Sequence, residues 1–259
     1  MAANGRSGPR GFTIVELAVA LFLVAVLFGA IVVPLQTQVL ARKTEDTQQL
    51  LAKAREALLG YAAANGYFPC PADEVSGGRE PALSDHSTGI CTTYQGFLPG
   101  AVLGLQSSDS QGYALDGWAG RGNRIRYAVA HYAVGAVSSP FTRTNGMRTA
   151  GIPNLANNSL SLFHVCNSAS GVVAGTSCGA AVTLVSTTPV MVWSSGENAA
   201  TGGASADEAQ NPNPNGGSAD RIFVSRLRGI AATGEFDDQV SWIPMPTLIS
   251  RMVAAGQLP

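Results

Sequence analysis

Charge is what this sequence has least of. Asp, Glu, Lys and Arg make up 13% of its 259 residues, and the net charge is −1. Soluble domains carry about 25% charged residues. A surface so sparsely charged is not built to neutralise phosphates, so nucleic acid is not an expected partner. No Gly-x-x-x-x-Gly-Lys-Ser/Thr run and no His-Glu-x-x-His is present. The glycine-rich stretch 117–122 precedes an expected strand instead of opening a helix, which makes it a turn and not a phosphate cradle. The three histidines, His86, His131 and His164, are widely scattered. No nucleophile and base are read at a recognisable spacing, and no enzymatic activity is assigned. Cysteine is missing from the first 69 residues, and charge is missing from residues 17–41.

Once an apolar N-terminal segment is set aside, about 200 residues remain, enough for one head with its own core. All four cysteines, Cys70, Cys91, Cys166 and Cys178, fall in it. Three pairings are open to them. Loop-closure entropy favours the near neighbours, Cys70 with Cys91 and Cys166 with Cys178, each bridge stabilising by roughly 3 kcal/mol in an oxidising compartment. Free buried thiols or a metal remain alternatives, although none of the spacings is the short Cys-x-x-Cys of a zinc site.

Residues 1–11 are polar and basic, with Arg6 and Arg10, and the apolar run that follows is long enough to cross a hydrocarbon core of about 30 Å as a helix. The basic flank belongs in the cytoplasm, which puts the cysteines outside. Glu16 is the anomaly, because an ionised carboxylate entering hydrocarbon costs about 2.5–3.5 kcal/mol. A cleaved secretory signal ending near Val39-Leu40-Ala41 fits neither the length of the run nor this glutamate. A plain single-pass anchor explains the length and leaves Glu16 without a purpose, unless it snorkels to the headgroups.

Gly11-Phe12-Thr13-Ile14-Val15-Glu16-Leu17, behind a basic leader and ahead of an uninterrupted apolar helix, resembles the processing motif of type IV pilins and type II secretion pseudopilins. The resemblance implies cleavage between Gly11 and Phe12 by a membrane-embedded prepilin peptidase and N-methylation of Phe12. It also implies retention of the apolar helix in the mature subunit. Phe12 and Glu16 stand one helical turn apart, so staggered neighbours in a filament would pair the new amine of one subunit with Glu16 of the next.

Pro34 lies near the end of the apolar run and predicts a kink. Val39, Leu40, Leu51, Ala54, Leu58 and Tyr61 then recur at helical spacing, and Asn65-Gly66 with Pro69 and Pro71 stops the helix. A helix over 12–66 would be about 80 Å long, with 12–36 as transmembrane segment and filament core. The head, 67–259, is expected to be β-rich. Candidate strands are 124–134, 159–165, 181–185, 190–194 and 221–227, packed as an antiparallel sheet on the helix, and a last helix runs over about 246–255. The fold class is therefore α+β and pilin-like. Weaker resemblances continue at 65–69, at Asp116-Gly117-Trp118 with Asn123 and Tyr127, and at Ser194-Ser195-Gly196-Glu197-Asn198. Residues 197–220 hold almost no bulky apolar side chain and read as an exposed mobile loop. Some pseudopilins bind calcium in this region, where Asp207, Glu208 and Asp220 could supply oxygen ligands, but with no EF-hand spacing a solvated loop is the expectation and no metal or cofactor is assigned.

These features describe a subunit of the bacterial inner membrane, N-terminus cytoplasmic and head periplasmic. Such a subunit assembles with other pilin or pseudopilin subunits into a pilus or secretion pseudopilus, and the large head suits a minor one. The competing reading is a membrane-anchored periplasmic binding or enzymatic domain outside any filament.

Overall fold

The structure, a computed structural model, describes residues 11, 13–106, 109–118, 123–131, 133, 137–157, 162–201, 203, 205–212, 221–231 and 234–259, with side chains 28–36 outside that description. It has two compact units, Met1–Thr44 and Glu45–Pro259. One helix, α1 (Ile14–Asn65), contributes its first part to one unit and its last part to the other.

In the first unit residues 17–27 of α1 are apolar on every face. Ile14, Val15, Leu17, Val19, Leu21, Phe22, Leu23, Val24, Val26 and Leu27 are all exposed. Among the described residues no helix is long and apolar enough to cross a membrane. The described side chains of the run stop at Leu27 and resume at Thr37.

In the second unit α1 becomes one-sided. Leu51, Ala54, Leu58 and Ala62 are buried at three- and four-residue intervals, whereas Glu45, Asp46 and Glu56 face solvent. The helix ends where Gly66 takes a positive φ of 83°, and Nε2 of the Gln257 side chain donates to the carbonyls of Ala63 and Ala64. Those carbonyls have no partner further along the helix, so the C-terminal tail satisfies them.

Among the described residues nine strands follow: β1 (Gln95–Phe97), β2 (Arg126–Val129), β3 (Phe163–Cys166), β4 (Thr183–Thr188), β5 (Val190–Ser194), β6 (Ile222–Val224), β7 (Gly229–Ala231), β8 (Gly234–Phe236) and β9 (Gln239–Ile243). The described residues also form four α-helices, α2 (Gly146–Ala150), α3 (Ile152–Leu155), α4 (Ala206–Gln210) and α5 (Met245–Ala254), and a 3-10 turn at Ala199–Thr201. An antiparallel sheet has the order β1-β2-β5-β9, a second sheet the order β4-β3-β6, and β7 pairs with β8. The expected antiparallel sheet is the four-stranded one, and the second sheet adds what was not expected, a parallel pairing of β3 with β6. Pro189 alone separates β4 from β5, and with no N–H to donate it marks the point where the chain passes from one sheet to the other. Trp193 of β5 meets Phe223 of β6 edge-on at 5.0 Å, joining the two sheets. The core then continues through Tyr127, Val192, Phe141 and Met147 to Leu248 and Met252 of α5.

The chain is thus α+β, a helix with sheets. Residues 205–212, the second part of the segment 197–220 that is described, depart from the exposed loop expected there. Ser205 caps α4 by accepting from the Glu208 amide, and Asp207, Glu208 and Asn211 are buried. Polar side chains, not apolar ones, hold this segment in place, which hydropathy does not register. Residues 213–220, with Asp220, lie outside the described residues.

Candidate functional site

Two of the weak sequence resemblances meet in space. The Asp116 carboxylate accepts from the Ser194 hydroxyl, from the Trp118 amide at 2.9 Å and from Asn123 Nδ2 at 3.4 Å. Asn123 Nδ2 also donates to the Gly196 carbonyl at 2.6 Å, and the Gly196 amide donates to the Ser194 hydroxyl. The Gly117 amide donates to Thr47 Oγ1 on α1 at 2.9 Å. Asp116, Asn123 and Ser194 are all buried. These hydrogen bonds tie loop, strand and helix together.

Gly196 also leads to the strongest electrostatic feature of the head. Its φ is 66°, and a Cβ built on it would lie 2.0 Å from Asp237 Oδ1. Asp237 belongs to a group of three buried carboxylates, with Glu208 and Asp238, whose oxygens lie within 4.8 Å of one another. The Asp237 amide donates to Glu208 Oε1 at 2.8 Å, the Glu197 amide donates to Asp237 Oδ2 at 2.8 Å, and Asn211 Nδ2 donates to Asp238 Oδ2 at 2.7 Å. Burial, aided by the neighbouring Glu208, raises the Asp237 carboxyl to about 7, and burial likewise pushes Asp238 well above the ordinary range. Asp237 Oδ1 has no hydrogen-bond partner among the described residues. Clustered hard oxygens with an unsatisfied one among them suit a hard divalent cation. Of the expected ligands only Glu208 is in this group. Asp207 is committed to Arg226 at 2.7 Å, to the Ser168 hydroxyl and to the Ala169 amide. Asp237 and Asp238 were not anticipated, because they lie outside the 197–220 segment and adjoin the group only through folding.

At the other end of the chain, Gly11 and Thr13 are exposed and α1 starts only at Ile14. Thr13 Oγ1 accepts from the Glu16 amide at 3.2 Å, while Glu16 Oε2 accepts from the Thr13 amide at 3.2 Å and from the Thr13 hydroxyl at 3.1 Å. This reciprocal pair is a capping box, spelled Thr-x-x-Glu before an apolar run. The sequence reading used Glu16 only for a contact between subunits and overlooked that local signal. Residues 6–32 match the family model of the prokaryotic N-terminal methylation motif. The chain carries the signature of prepilin-like proteins. This prepilin motif is one of structural, pilin-type chains, and it implies a peptidase that processes it and subunits that assemble with it. No curated protein and no solved structure matches the chain.

The chain contains two disulfides, Cys70–Cys91 and Cys166–Cys178, and no free cysteine. Its histidines lie in three separate settings. His86 bonds Glu80, His131 stacks on Tyr94 at 4.3 Å, and His164 is part of β3. Residues 175–179 spell Gly-x-Ser-x-Gly, a pattern that the sequence reading passed over. They form a turn inside the Cys166–Cys178 loop, with Ser177 accepting from the Gly179 amide, and not the strand-to-helix elbow of a nucleophile. Phe12 lies outside the described residues, as does the Pro34 side chain; α1 is helical through position 34.

Proposed function

We propose that this chain is a prepilin-like structural subunit, cleaved between Gly11 and Phe12 and N-methylated at Phe12. It assembles through its apolar helix into a type II secretion pseudopilus or a type IV pilus, as a minor subunit. The observation that carries the reading is the methylation motif at 6–32, running into a helix whose residues 17–27 are apolar and exposed on every face. A helix apolar all round is at home in lipid or among other helices, not in water. Residues 12–36 form the transmembrane segment and later the filament core, kinked at Pro34, and the disulfide-bonded head faces the periplasm. Glu16 pairs with the amine that cleavage creates on a neighbouring subunit. Partners are therefore the prepilin peptidase, the inner membrane and other subunits.

The head of this subunit holds calcium on Glu208, Asp237 and Asp238. Supporting this is the unsatisfied Asp237 oxygen inside a buried acidic group. The cation supplies charge compensation that lets all three ionise together.

Intact-mass and N-terminal analysis of membrane-extracted protein tests the main reading. A mature chain starting at N-methylated Phe12 supports it; a chain that retains residues 1–11, or starts near Arg42, overturns it. Glu16→Ala should be processed normally and be lost from sheared filaments. Incorporation at the normal level would refute the pairing while leaving the processing assignment intact.

A further inference from the structure

We propose that the dithiol form of the head is a metal site for a borderline-soft divalent cation of the zinc class. Its ligands are Cys70, Cys91, His86 and Glu80, and the Cys70–Cys91 bond closes it. The loop between the two cysteines folds back on its own start. Glu80 Oε2 accepts from the Cys70 amide at 3.0 Å and lies 2.6 Å from His86 Nε2. The Cys70 sulfur, a Glu80 oxygen and a His86 ring nitrogen are all within 4.8 Å of one another. The Cys91 sulfur is bonded to that of Cys70 and so accompanies it.

The imidazole is already oriented for this task. Its Nδ1 is 2.7 Å from the Thr142 carbonyl, which can only accept, so Nδ1 carries a proton and Nε2 is the atom left to bind a metal. The Tyr67 ring lies against His86 with centroids 4.3 Å apart and limits its rotation. Glu80 and His86 are partly exposed, with side-chain accessibilities of 16% and 21%, so an ion can reach them. Zinc ligands at about 2.0–2.3 Å in a tetrahedron stand roughly 3.3–3.8 Å apart, so the Cys70 sulfur needs to close by at most about 1 Å, and the 2.6 Å contact between Glu80 and His86 opens as the ion enters between them.

In the oxidised protein the sulfurs are neutral disulfide atoms, and the carboxylate and imidazole pair with each other. Two electrons and two protons from a dithiol reductant convert the bond into two thiols, and the reductant leaves as its own disulfide. Cation binding then releases both thiol protons as the sulfurs ligate as thiolates, and displaces any proton on His86 Nε2. The reverse sequence, metal loss followed by thiol–disulfide exchange with a disulfide oxidant that leaves as its dithiol, gives the bridged head. The positions 70, 80, 86 and 91 contain no short ligand pair, which is why the site is invisible in the sequence.

The test uses the full chain in detergent with Cys166→Ser and Cys178→Ser, leaving one thiol pair, reduced anaerobically with a phosphine and titrated with Co²⁺. The expected result is one equivalent bound, with thiolate-to-cobalt charge transfer and the visible bands of tetrahedral cobalt. His86→Ala and Glu80→Gln should each weaken binding by about tenfold or more, and the oxidised chain should give no bands. Absence of tetrahedral bands in the reduced chain overturns the proposal. So does binding unchanged in both variants, the behaviour of two cysteines in a chain that reduction has unfolded.

Discussion

Replacing Asp237 by asparagine should stabilise the head at neutral pH in the absence of divalent cations. The carboxyl is raised from 3.8 to about 7, chiefly by burial. The folded state therefore holds a proton that the unfolded chain has already released, and stability falls as pH climbs from about 4 to about 7. The penalty is absent below the unfolded value and complete above the folded one. Taken whole, a shift of about three units corresponds to ~4 kcal/mol. Removing one carboxylate relieves only part of the repulsion shared with Glu208 and Asp238, and solvent reaching the adjacent, exposed Glu197 screens more of it, leaving ~1–2 kcal/mol. For a head of this size that is about 2–8 °C in melting temperature. Asparagine keeps an oxygen for the Glu197 amide, so the substitution removes charge without orphaning a donor. The assay is melting by circular dichroism of the full chain in detergent and EDTA between pH 4 and 8. Asp237→Asn should melt with the parent at pH 4 and above it at pH 7. Calcium should raise the parent at pH 7 and leave the variant nearly unmoved. A parent curve that does not fall between pH 4 and 7 faster than that of the variant would refute the argument.

Gly196→Ala should destabilise by roughly 3 kcal/mol, combining left-handed strain of about 1–2 kcal/mol with a clash against Asp237, whereas Gly175→Ala, with φ 66° and open space, should show the strain alone; chemical denaturation separates them. Converting Cys70 and Cys91, or Cys166 and Cys178, to serine should each cost about 3 kcal/mol for sequence separations of 21 and 12, the longer loop exceeding the shorter by about 0.5 kcal/mol. Comparable melting with and without a reductant would remove the bridges from the stability of the head. Thr13→Ala should weaken the start of α1 by about 0.5–1 kcal/mol, seen as lower helicity of the isolated 11–36 peptide in micelles, while Thr13→Ser restores it.

What the sequence revealed depended on how locally each feature is determined. Leu51, Ala54 and Leu58 sit at helical spacing on their own chain, and they are buried as that spacing requires. Asn65-Gly66 ends α1 by a backbone conformation that glycine alone adopts readily. The C-terminal helix, expected over 246–255, occupies Met245–Ala254 because proline fits the first turn. By contrast β1, β7, β8 and β9 were not read from the sequence. Three of them are only three residues long, too short for alternation to register, and β9 is half-buried along most of its length. The acidic group was legible only in Glu208, since Asp237 and Asp238 reach it across 29 and 30 positions of chain (237 − 208 and 238 − 208) through pairing of neighbouring segments. Polar anchoring of α4 was missed for a related reason. Apolar content measures what hydrophobic burial can hold, and this segment is held by Ser205, Asn211 and the Asp207–Arg226 pair.

Glu16 is where the local and the assembled readings meet. The capping box engages only one carboxylate oxygen: both Thr13 donors go to Oε2, and Oε1 has no hydrogen bond among the described residues. An ionised carboxylate has acceptor sites on both oxygens. The residue can therefore hold the start of its own helix and still present an oxygen to a cation from outside, so the two roles do not compete. The box also lowers the cost of placing this charge beside an apolar run. It satisfies the Thr13 amide, which would otherwise be an unpaired donor at the helix start, and it sets the carboxylate against the positive end of the helix dipole. On this account the glutamate is tolerable in a monomer before any neighbour arrives. Pairing between subunits then need only outbid solvent for Oε1, not overcome the full cost of a buried, unpartnered charge.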